Sequence, residues 1–261
     1  MGKLSTLYQR MKFCLSFGVT SKDSWRLISL TLNYSLAVRS KTKRVALQSD
    51  NQVHSIQAIY NNKVFPLHFR RQDLSMLYEV WMDQNYDLKN KKLTSGKILD
   101  IGAHVGFTTL YYWTQLGEDR HYICIEGSVK NSRILNKNIN IIAQSTIHQC
   151  IITHDGRQVR FYDEMSGHLH TVHDTLGDDH DSESMNTIMS RYKNAEIALC
   201  KMDIEGMEYE VLTKHNSWLK SVAQLCLELH NQDEYNTIEK SLFEIGMKAS
   251  YGSAIKYFIR D

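Results

Sequence analysis

The fold is decided by the stretch Ile98-Leu-Asp-Ile-Gly-Ala-His-Val-Gly-Phe107. Its apolar first half predicts a buried strand over Lys97–Ile101, and the residues after Gly106 predict a helix. Gly102 lets the backbone turn tightly after the strand and approach a ligand closely. The free N–H groups at the start of the helix would face that ligand, and Asp100 adds a carboxylate that can bind an ammonium group.

Two other interpretations of this turn stay open. It could be an ordinary strand–helix connection, or it could be a dinucleotide-binding loop with the pattern Gly-x-Gly-x-x-Gly. His104 stands where that pattern has its middle glycine, the residue that lets a pyrophosphate lie against the backbone. The substitution favours a nucleotide without phosphates, such as S-adenosylmethionine, over a nicotinamide cofactor.

Downstream of this turn, short apolar strands alternate with helices. Strands are predicted at His121–Ile125, Thr146–Ile152, Ile197–Met202, Ala223–Leu229, Met247–Tyr251 and Ala254–Ile259. Helices are predicted at Ser132–Ile142, Met185–Tyr192, Tyr209–Lys214 and Tyr235–Phe243. Arg157–Tyr162 is predicted to pair with the strand at Thr146–Ile152. The alternation predicts an α/β fold of the Rossmann-like kind, with a mostly parallel sheet and helices on both faces.

The residues before the core form two smaller units. Apolar positions at helical spacing (Leu4, Leu7, Met11, Leu15) predict one helix. A second helix is predicted from about Ser24, with Trp25, Ile28, Leu32 and Leu36 along one side. We therefore expect a helical cap at 1–50, a β-hairpin and lead-in helix at 51–96, and the core at 97–261.

The predicted hairpin joins His54–Tyr60 to Lys63–Phe69 through Asn61-Asn62, a pair that tolerates the positive φ angles of a tight turn. Pro66 is the single proline of the chain and lies in the second strand, which predicts an edge strand. A helix is predicted to follow from Leu74 to Met82.

Composition excludes several classes of protein. The 31 basic and 29 acidic residues give a net charge of +2, without the strongly basic balance of a general nucleic-acid binder. The five cysteines are scattered and odd in number, which predicts buried thiols in a reducing compartment. The most apolar stretch near the N-terminus, Leu27–Val38, is shorter than the about 20 residues that a membrane-spanning helix needs. We expect a cytoplasmic protein without a transmembrane segment.

Acidic side chains follow three of the predicted strands. Glu126 ends the second strand, where a carboxylate can hold the hydroxyl pair of a ribose. Asp203 and Glu205 follow the strand Ile197–Met202, where burying two carboxylates without a purpose would be costly. Glu228 and His230 end the strand after that. Because the carboxyl ends of parallel strands meet at one edge of a sheet, we expect these side chains near one ligand site.

A polar segment from Gly167 to Ser184 is rich in histidine and aspartate. Its alternating histidines suggest a metal site, but a flexible loop beside the active site explains the same composition, and we favour the loop. We therefore expect no bound metal. The residues concerned are His168, His170, His173, Asp174, Asp178, Asp179, His180 and Asp181.

Taken together, five segments resemble the FkbM family of methyltransferases. They are RRQDLSMLYEVWMDQNYDL (70–88), ILDIGAHVGFTTL (98–110), ICIEGSVKNSRILNKNI (123–139), KMDIEGMEYEVL (201–212) and LCLELH (225–230). They match in order and spacing over roughly residues 65 to 230. The resemblance implies a class I methyltransferase fold, S-adenosylmethionine as methyl donor, and O-methylation of a sugar or natural product.

Carried over residue by residue, the resemblance also implies a cofactor site. The methionine half of the cofactor would be lined by Asp100, Gly102, Ala103, His104 and Gly106. Glu126 would bind the ribose with Ser128 beside it, and Asp73 would contribute from the lead-in segment. Cys150 and Ile151 fall at the adenine slot, where many relatives have a more polar residue.

On this basis we expect an in-line methyl transfer to an acceptor oxygen, with a base that removes its proton. His230 is the first candidate for the base, and Asp203 is the second or orients the acceptor. The partner would be a small-molecule or glycan acceptor rather than a nucleic acid, and a homo-oligomer is possible. A nicotinamide-dependent oxidoreductase and a non-catalytic binding protein of the same fold are the alternatives.

Overall fold

The computed structural model describes residues 3–40, 42–43, 47, 50–88, 92–161, 178–193, 195–250 and 255–260. Its strands are β1 (His54–Tyr60), β2 (Lys63–Phe69), β3 (Lys97–Ile101), β4 (Tyr122–Ile125), β5 (Ser145–His148), β6 (Ile151–Thr153), β7 (Gln158–Phe161), β8 (Asp178–Ser184), β9 (Ile197–Met202), β10 (Gln224–Glu228), β11 (Met247–Ser250) and β12 (Ile255–Arg260). Its α-helices are α1 (Lys3–Phe17), α2 (Ser21–Val38), α3 (Leu74–Leu77), α4 (Phe107–Leu116), α5 (Val129–Ile139), α6 (Met185–Ser190), α7 (Glu208–Thr213) and α8 (Tyr235–Glu244).

The main sheet has seven strands in the order β11-β12-β10-β9-β3-β4-β5. The five strands from β10 to β5 are parallel, and β12 is antiparallel to both of its neighbours. The chain moves from β3 outward to β5 and then returns to β9 on the other side of β3. This reversal lies between β3 and β9, and ligands of open α/β sheets bind outside the carboxyl ends of strands at such a point.

Helices cover both faces of this sheet, as predicted. Helices α4 and α5 pack on one face together with the N-terminal segments, and α6, α7 and α8 pack on the other. Every residue of β9 is buried, which explains its continuous apolar sequence. The α/β, Rossmann-like fold expected from the sequence is confirmed. Among the described residues, no helix is both long and apolar enough to cross a bilayer.

The third predicted strand was wrong in its extent. Thr146–Ile152 is two strands, because the chain leaves the main sheet after His148 and β6 pairs in parallel with β8 in a second sheet. The strand β7 pairs with β8 rather than with β6, so the sheet order is β6-β8-β7. The predicted loop at 167–184 is therefore a strand from Asp178 onward, and its charged residues pair across to β7, as in the contact of Arg160 with Asp179.

The hairpin prediction is confirmed. Strands β1 and β2 pair antiparallel from His54↔Phe69 to Tyr60↔Lys63, and Asn61 and Asn62 have φ angles of 45° and 60°. The sheet has only these two described strands, so Pro66 lies on an edge. The lead-in helix is also present, as α3 followed by a π-helical turn at Tyr78–Met82.

The apolar side predicted for α2 is not the side that the fold buries. Trp25, Leu32 and Leu36 are exposed, whereas Leu27 and Ile28 are buried. Packing on α1 and β1 selects this face, because the helix carries apolar residues on both of its sides. The N-terminal end of α2 is defined by a capping box in which the side chains of Thr20 and Asp23 bond each other's backbone.

An aromatic cluster joins the N-terminal segments to the sheet's helices. The ring of Trp81 lies 5.3 Å from each of the rings of Phe17, Phe65 and Tyr111, measured between centroids. These residues come from α1, β2, the lead-in segment and α4. The N-terminal helices and the hairpin therefore share one apolar core with one face of the main sheet.

Candidate active site

A cleft of about 680 Å³, including the open solvent at its mouth, lies at the carboxyl ends of β3, β4 and β9. This is the position that the strand reversal between β3 and β9 predicts. Its lining residues are Met76, Ile101, Gly102, His104, Ile125, Glu126, Gly127, Asn131, Cys150, Ile151, Ile152, Phe161, Asp203, Ile204, Glu205 and Met207. Of the described residues that line the cleft, none is a lysine or an arginine.

The turn after β3 leaves no room for a side chain at either of its glycines. Gly102 has φ +76°, and a Cβ atom there would lie 1.7 Å from the carbonyl oxygen of Asp203. Gly106 has φ +86°, and its Cβ would lie 2.7 Å from the side chain of Leu135 on α5. Gly102 is therefore required by the loop after β9, and Gly106 by the packing of α5 against the turn.

Lys201 connects the turn after β3 to the loop after β9. Its side chain is 2% exposed, and its Nζ donates to the carbonyl oxygen of Gly102 at 2.7 Å. The same Nζ lies 3.4 Å from Asp100 Oδ1 and 3.5 Å from Asp203 Oδ2. Burial by itself would lower the pKa of Lys201, but the Asp100, Asp203 and Glu228 carboxylates raise it overall. The lysine is therefore charged and holds the cleft floor together.

Asp100 therefore has protein partners rather than a place in the lining. Its side chain is 1% exposed, and its Oδ2 accepts a hydrogen bond from Thr109 Oγ1 at 2.7 Å. The ammonium group that this carboxylate meets in the structure is that of Lys201. Ala103 is likewise buried and does not line the cleft.

Glu126 lies in the cleft wall where the sequence predicts it. Its Oε2 accepts from the backbone N–H of His104 at 2.8 Å, and its Oε1 accepts from the backbone N–H of Ser128 at 2.9 Å. Asn131 donates to the same Oε1 at 3.3 Å. Ser128 itself is fully buried and caps α5 by accepting from the N–H of Asn131. These contacts fix the carboxylate at the lip of β4.

Asp73 acts from behind the cleft. It is fully buried, and Arg70 contacts both of its carboxylate oxygens, at 2.9 Å to Oδ1 and 3.1 Å to Oδ2. The same guanidinium donates to Asn131 Oδ1 at 2.6 Å. His104 Nε2 lies 3.6 Å from Asp73 Oδ1. Asp73 thus orients the side chains of two lining residues, His104 and Asn131, and is not itself in the lining.

At the other end of the cleft, His230 is surrounded by three carboxylates. Its Nδ1 lies 3.2 Å from Glu208 Oε1, and its Nε2 lies 3.3 Å from Glu205 Oε2 and 3.6 Å from Asp203 Oδ1. The hydrogen bond to Glu208 is the largest effect on the imidazole, and the pKa of His230 is raised to about 9. At neutral pH the ring is therefore an imidazolium ion.

The carboxyl groups of Glu205 and Glu208, both beside His230, have pKa values shifted in opposite directions. Burial raises the pKa of Glu205 to about 7, even though the charge of His230 opposes the shift. The pKa of Glu208 shifts in the opposite direction. Burial alone would raise it, but the hydrogen bonds from His230 and from the backbone N–H of Ile204 lower it overall. Asp203 Oδ1 is buried and finds no hydrogen-bond partner among the described residues. Glu205 and Asp203 both line the cleft, where their carboxylate oxygens can accept hydrogen bonds from a ligand.

These residues could also hold a metal. Asp203, Glu208 and His230 each offer one ligand atom, and these atoms lie within 4.8 Å of one another. A divalent cation bound there would have to displace the proton that the imidazole carries at neutral pH. The histidine-rich metal candidate from the sequence cannot be compared with it, because His168, His170, His173 and Asp174 lie outside the described residues.

The remaining wall of the cleft is apolar. Ile125, Ile151, Ile152 and Phe161 line an apolar slot in the same cleft as Glu126, and Cys150 lines the cleft with them. Burial raises the pKa of the Cys150 thiol to about 12, so this side chain is neutral. A slot of this kind suits a flat heteroaromatic ring adjoining a polar sugar.

Several residues of the site were not predicted from the sequence. Lys201 could have been found, since a lysine inside an apolar strand needs buried carboxylates as partners. Glu205 was expected near the ligand, but its φ angle of 53°, a left-handed conformation uncommon in a residue other than glycine, was not predicted. Arg70 and Asn131 act across 61 residues of sequence, which only the fold brings together.

Comparison with known proteins agrees with the resemblance found in the sequence. The model of the methyltransferase FkbM domain matches residues 100–259. Among curated protein sequences, no significant match was found.

Solved structures of several methyltransferases are similar to the chain at low sequence identity. An Aeropyrum pernix fibrillarin with natively bound S-adenosyl-L-methionine is 10% identical, covers 79% of this chain and 94% of its own, and has a TM-score of 0.43. A SAM-dependent methyltransferase from Aquifex aeolicus is 11% identical, with 74% and 100% covered and a TM-score of 0.42. A precorrin-6y C5,15-methyltransferase from Geobacter metallireducens is 9% identical, with 66% and 81% covered and a TM-score of 0.43.

Proposed function

The chain belongs to the FkbM methyltransferase family, with S-adenosylmethionine as methyl donor, and from that premise we propose that it O-methylates a hydroxyl group of a sugar, glycan or natural product. One observation carries the choice of acceptor. Asp203 and Glu205 line the cleft as hydrogen-bond acceptors, and Asp203 Oδ1, which faces His230 Nε2 at 3.6 Å, accepts no hydrogen bond from the described residues. Hydroxyl groups are donors that match such oxygens, and a polyhydroxylated acceptor offers several of them.

The residues present fit S-adenosylmethionine. The apolar slot at Ile151 and Phe161 suits an adenine ring, and Glu126 beside it can accept hydrogen bonds from ribose hydroxyls. Three carboxylates, those of Asp203, Glu205 and Glu208, surround the single imidazolium of His230 at the far end of the cleft, and this excess of acidic groups favours a cation. His104 lines the cleft at the position where a dinucleotide-binding turn has its middle glycine, and this side chain disfavours a nicotinamide dinucleotide, whose pyrophosphate lies against the bare backbone.

When bound, S-adenosylmethionine supplies a methyl group that is already activated on a sulfonium. What the chain must then do is align the acceptor oxygen and take its proton. We assign the proton to Glu205, because a base works best when its pKa is near the operating pH and that of Glu205 is raised to about 7. His230, the first candidate from the sequence, is protonated at neutral pH and instead holds Asp203 and Glu205 in place.

The N-terminal segments complete the acceptor side in this proposal. Met76 of α3 lines the cleft, and Asp73 orients His104 from the same segment. We therefore keep the division into a helical cap at 1–50, a hairpin and lead-in helix at 51–96, and a catalytic core at 97–261. The first two parts would select the acceptor, while the core binds the donor.

Calorimetric titration with S-adenosylhomocysteine tests the donor site. We expect binding that the isosteric substitution Glu126→Gln weakens about tenfold or more, since a hydrogen bond to a charged group contributes about 1.5–3 kcal/mol. Glu196→Gln is the matched control, because Glu196 is exposed away from the cleft. Equal binding to both variants would remove Glu126 from the donor site.

A second assay tests the acceptor class. Transfer of a labelled methyl group to polyhydroxylated acceptors is compared with transfer to amines of similar size, and the product is identified by mass spectrometry. We expect methyl ethers, which Glu205→Gln abolishes while leaving the binding of S-adenosylhomocysteine intact. Methylation on nitrogen alone would overturn the proposal of O-methylation without affecting the family assignment.

A further inference from the structure

The N-terminal helices have a charge opposite to that of the remaining chain. Residues 1–49 contain nine lysines and arginines and one aspartate, a net charge of +8. Residues 50–261 contain 22 basic and 28 acidic residues, a net charge of −6. The near-neutral total of +2 therefore hides a strongly basic N-terminal segment. Such an asymmetry is typical of a segment that binds an anionic surface.

The same segment exposes an apolar stripe. On α2, Trp25 is 64% exposed, Leu32 is 38% exposed and Leu36 is 57% exposed. Their spacings of seven and four residues place them on one side of the helix. Lys22 and Arg39, also exposed, lie three residues beyond the two ends of the stripe and so continue the same side. The stripe is thus apolar along its length and basic at both ends.

The fold does not need this stripe. Helix α2 is already anchored by its opposite side, where Leu27, Ile28 and Thr31 are buried against α1 and β1. Neighbouring α1 adds further exposed apolar side chains at Tyr8 and Leu15. A contiguous apolar surface on one helical hairpin is typical of an interaction site.

We propose that the outer side of α2 docks the protein on an anionic lipid surface. In that arrangement Trp25, Leu32 and Leu36 enter the boundary between headgroups and acyl chains, while Lys22 and Arg39 contact lipid phosphates. Neither helix spans the bilayer, in agreement with the lengths of the described helices.

Charge and chemistry distinguish this occupant from two others. A second copy of the chain would bring two segments of net charge +8 together, and their repulsion opposes a dimer through this side. A nucleic acid would match the basic residues but would leave Leu32 and Leu36 in contact with water or phosphate. An anionic bilayer satisfies the basic and the apolar residues together.

Trp25 provides a direct measurement. The other three tryptophans (Trp81, Trp113 and Trp218) are 1%, 6% and 4% exposed, so a change in fluorescence on binding reports Trp25. The full-length protein is mixed with vesicles of phosphatidylcholine alone or of phosphatidylcholine with phosphatidylserine. We expect a blue shift and co-sedimentation with the anionic vesicles only, and release at about 1 M salt, where the Debye length falls to about 3 Å.

Substitutions then test the stripe. Replacing Trp25, Leu32 and Leu36 together by serine is expected to weaken partitioning into anionic vesicles at least about tenfold, measured by co-sedimentation, because the apolar side chains that would enter the bilayer are removed. Phe243→Ser is the matched control, since Phe243 is 65% exposed on α8 and lies outside the stripe. Circular dichroism of both variants checks that the fold is retained.

Three results would overturn the proposal. They are equal binding to neutral and anionic vesicles, unchanged binding of the triple variant, and absence of vesicle binding by the wild type. If the wild type binds no vesicles and sediments as a dimer that the triple variant converts to a monomer, the side is a subunit interface. If it binds only RNA, the basic residues serve a nucleic acid.

Discussion

The Nδ1 atom of His230 lies 3.2 Å from Oε1 of Glu208, and this contact keeps the imidazole charged at neutral pH. The backbone N–H groups of Ile204 and Gly206 hold the Glu208 carboxylate in place, so the pair does not depend on a ligand. The charged ring then stands 3.3 Å from Glu205, whose pKa it lowers against the effect of burial. The imidazolium therefore controls the titration of its neighbour.

The pH dependence of methyl transfer follows from this arrangement. If Glu205 takes the proton, the rate rises with an apparent pKa of about 7 in the wild type. Glu205→Gln should lower the rate by about 10²–10⁴-fold. His230→Gln removes a positive charge, so the rise should move to higher pH while activity at high pH is retained. Steady-state rates across the pH range, with Glu210→Gln as control outside the cleft, decide the matter. A wild-type rise centred near the pKa of His230 and lost in His230→Gln would make the imidazole the base.

The stability of the protein should depend on the charge of His230. The pKa of its imidazole is about 9 in the folded chain and about 6.5 when unfolded. A raised pKa stabilises the folded state fully below about pH 6.5, and the contribution is lost as the pH rises through about 9. The free energy of unfolding in urea, measured for the wild type and His230→Gln, should show the variant destabilised near pH 6 and much less so above about pH 9. A difference independent of pH would contradict the charged ring.

Gly102→Ala should be far more damaging than Gly117→Ala. Both glycines have a positive φ angle, +76° at Gly102 and +86° at Gly117. Gly117 combines this φ with a ψ of −164°, a region that costs a residue with a Cβ about 1–3 kcal/mol. At Gly117 nothing lies within 4 Å of the added Cβ, whereas at Gly102 it would overlap the carbonyl oxygen of Asp203. Thermal unfolding should show a loss of about 1–3 kcal/mol for Gly117→Ala, from its backbone conformation alone, and a clearly larger loss for Gly102→Ala. Equal losses would mean that the loop after β9 yields to the methyl group.

Asn138 holds the hairpin to the glycine-rich turn. Its Nδ2 donates to the carbonyl oxygens of His68 and Val105 at 2.9 and 2.7 Å, and its Oδ1 accepts from the N–H of His68 at 2.7 Å. Asn138→Ala should destabilise the fold by about 1–3 kcal/mol, because buried backbone groups lose their partner. It should also weaken the binding of S-adenosylhomocysteine, since Val105 belongs to the turn.

The control for that prediction is Asn136→Ala on the exposed side of the same helix. It should change neither the free energy of unfolding nor ligand binding by a measurable amount. If Asn138→Ala destabilises the fold without affecting the ligand, the hairpin and the turn are mechanically independent.

The parts of the fold that the sequence predicts are those with strong local patterns. The strand and turn around Gly102, the Asn61-Asn62 hairpin and the strand Ile197–Met202 each have an apolar period or a turn residue that admits few conformations. The side of α2 that is buried could not be predicted in this way. With apolar residues on both sides of that helix, only its packing partners select one.

The candidate site was predicted unevenly for a related reason. Glu126 and Asp203 end apolar strands, and topology alone brings strand ends together. Asp73 and Asp100 follow the family pattern equally well. They are nevertheless buried beside Arg70 and Lys201 and do not line the cleft. Whether a carboxylate faces a ligand or a buried cation depends on side-chain partners that lie far apart in sequence.

The hairpin's attachment to Asn138 has a consequence for synthesis on the ribosome. Its two strands leave the exit tunnel early, and an isolated two-stranded hairpin is at best marginally stable in water. The residue that clasps His68 follows it by 70 positions, which at about 5–20 residues per second is a delay of roughly 4 to 14 s. Trp81 likewise leaves the tunnel 30 positions before Tyr111, the ring of α4 against which it packs. A chaperone would therefore be needed at the stage of synthesis when the N-terminal segment has left the ribosome and its packing partners have not.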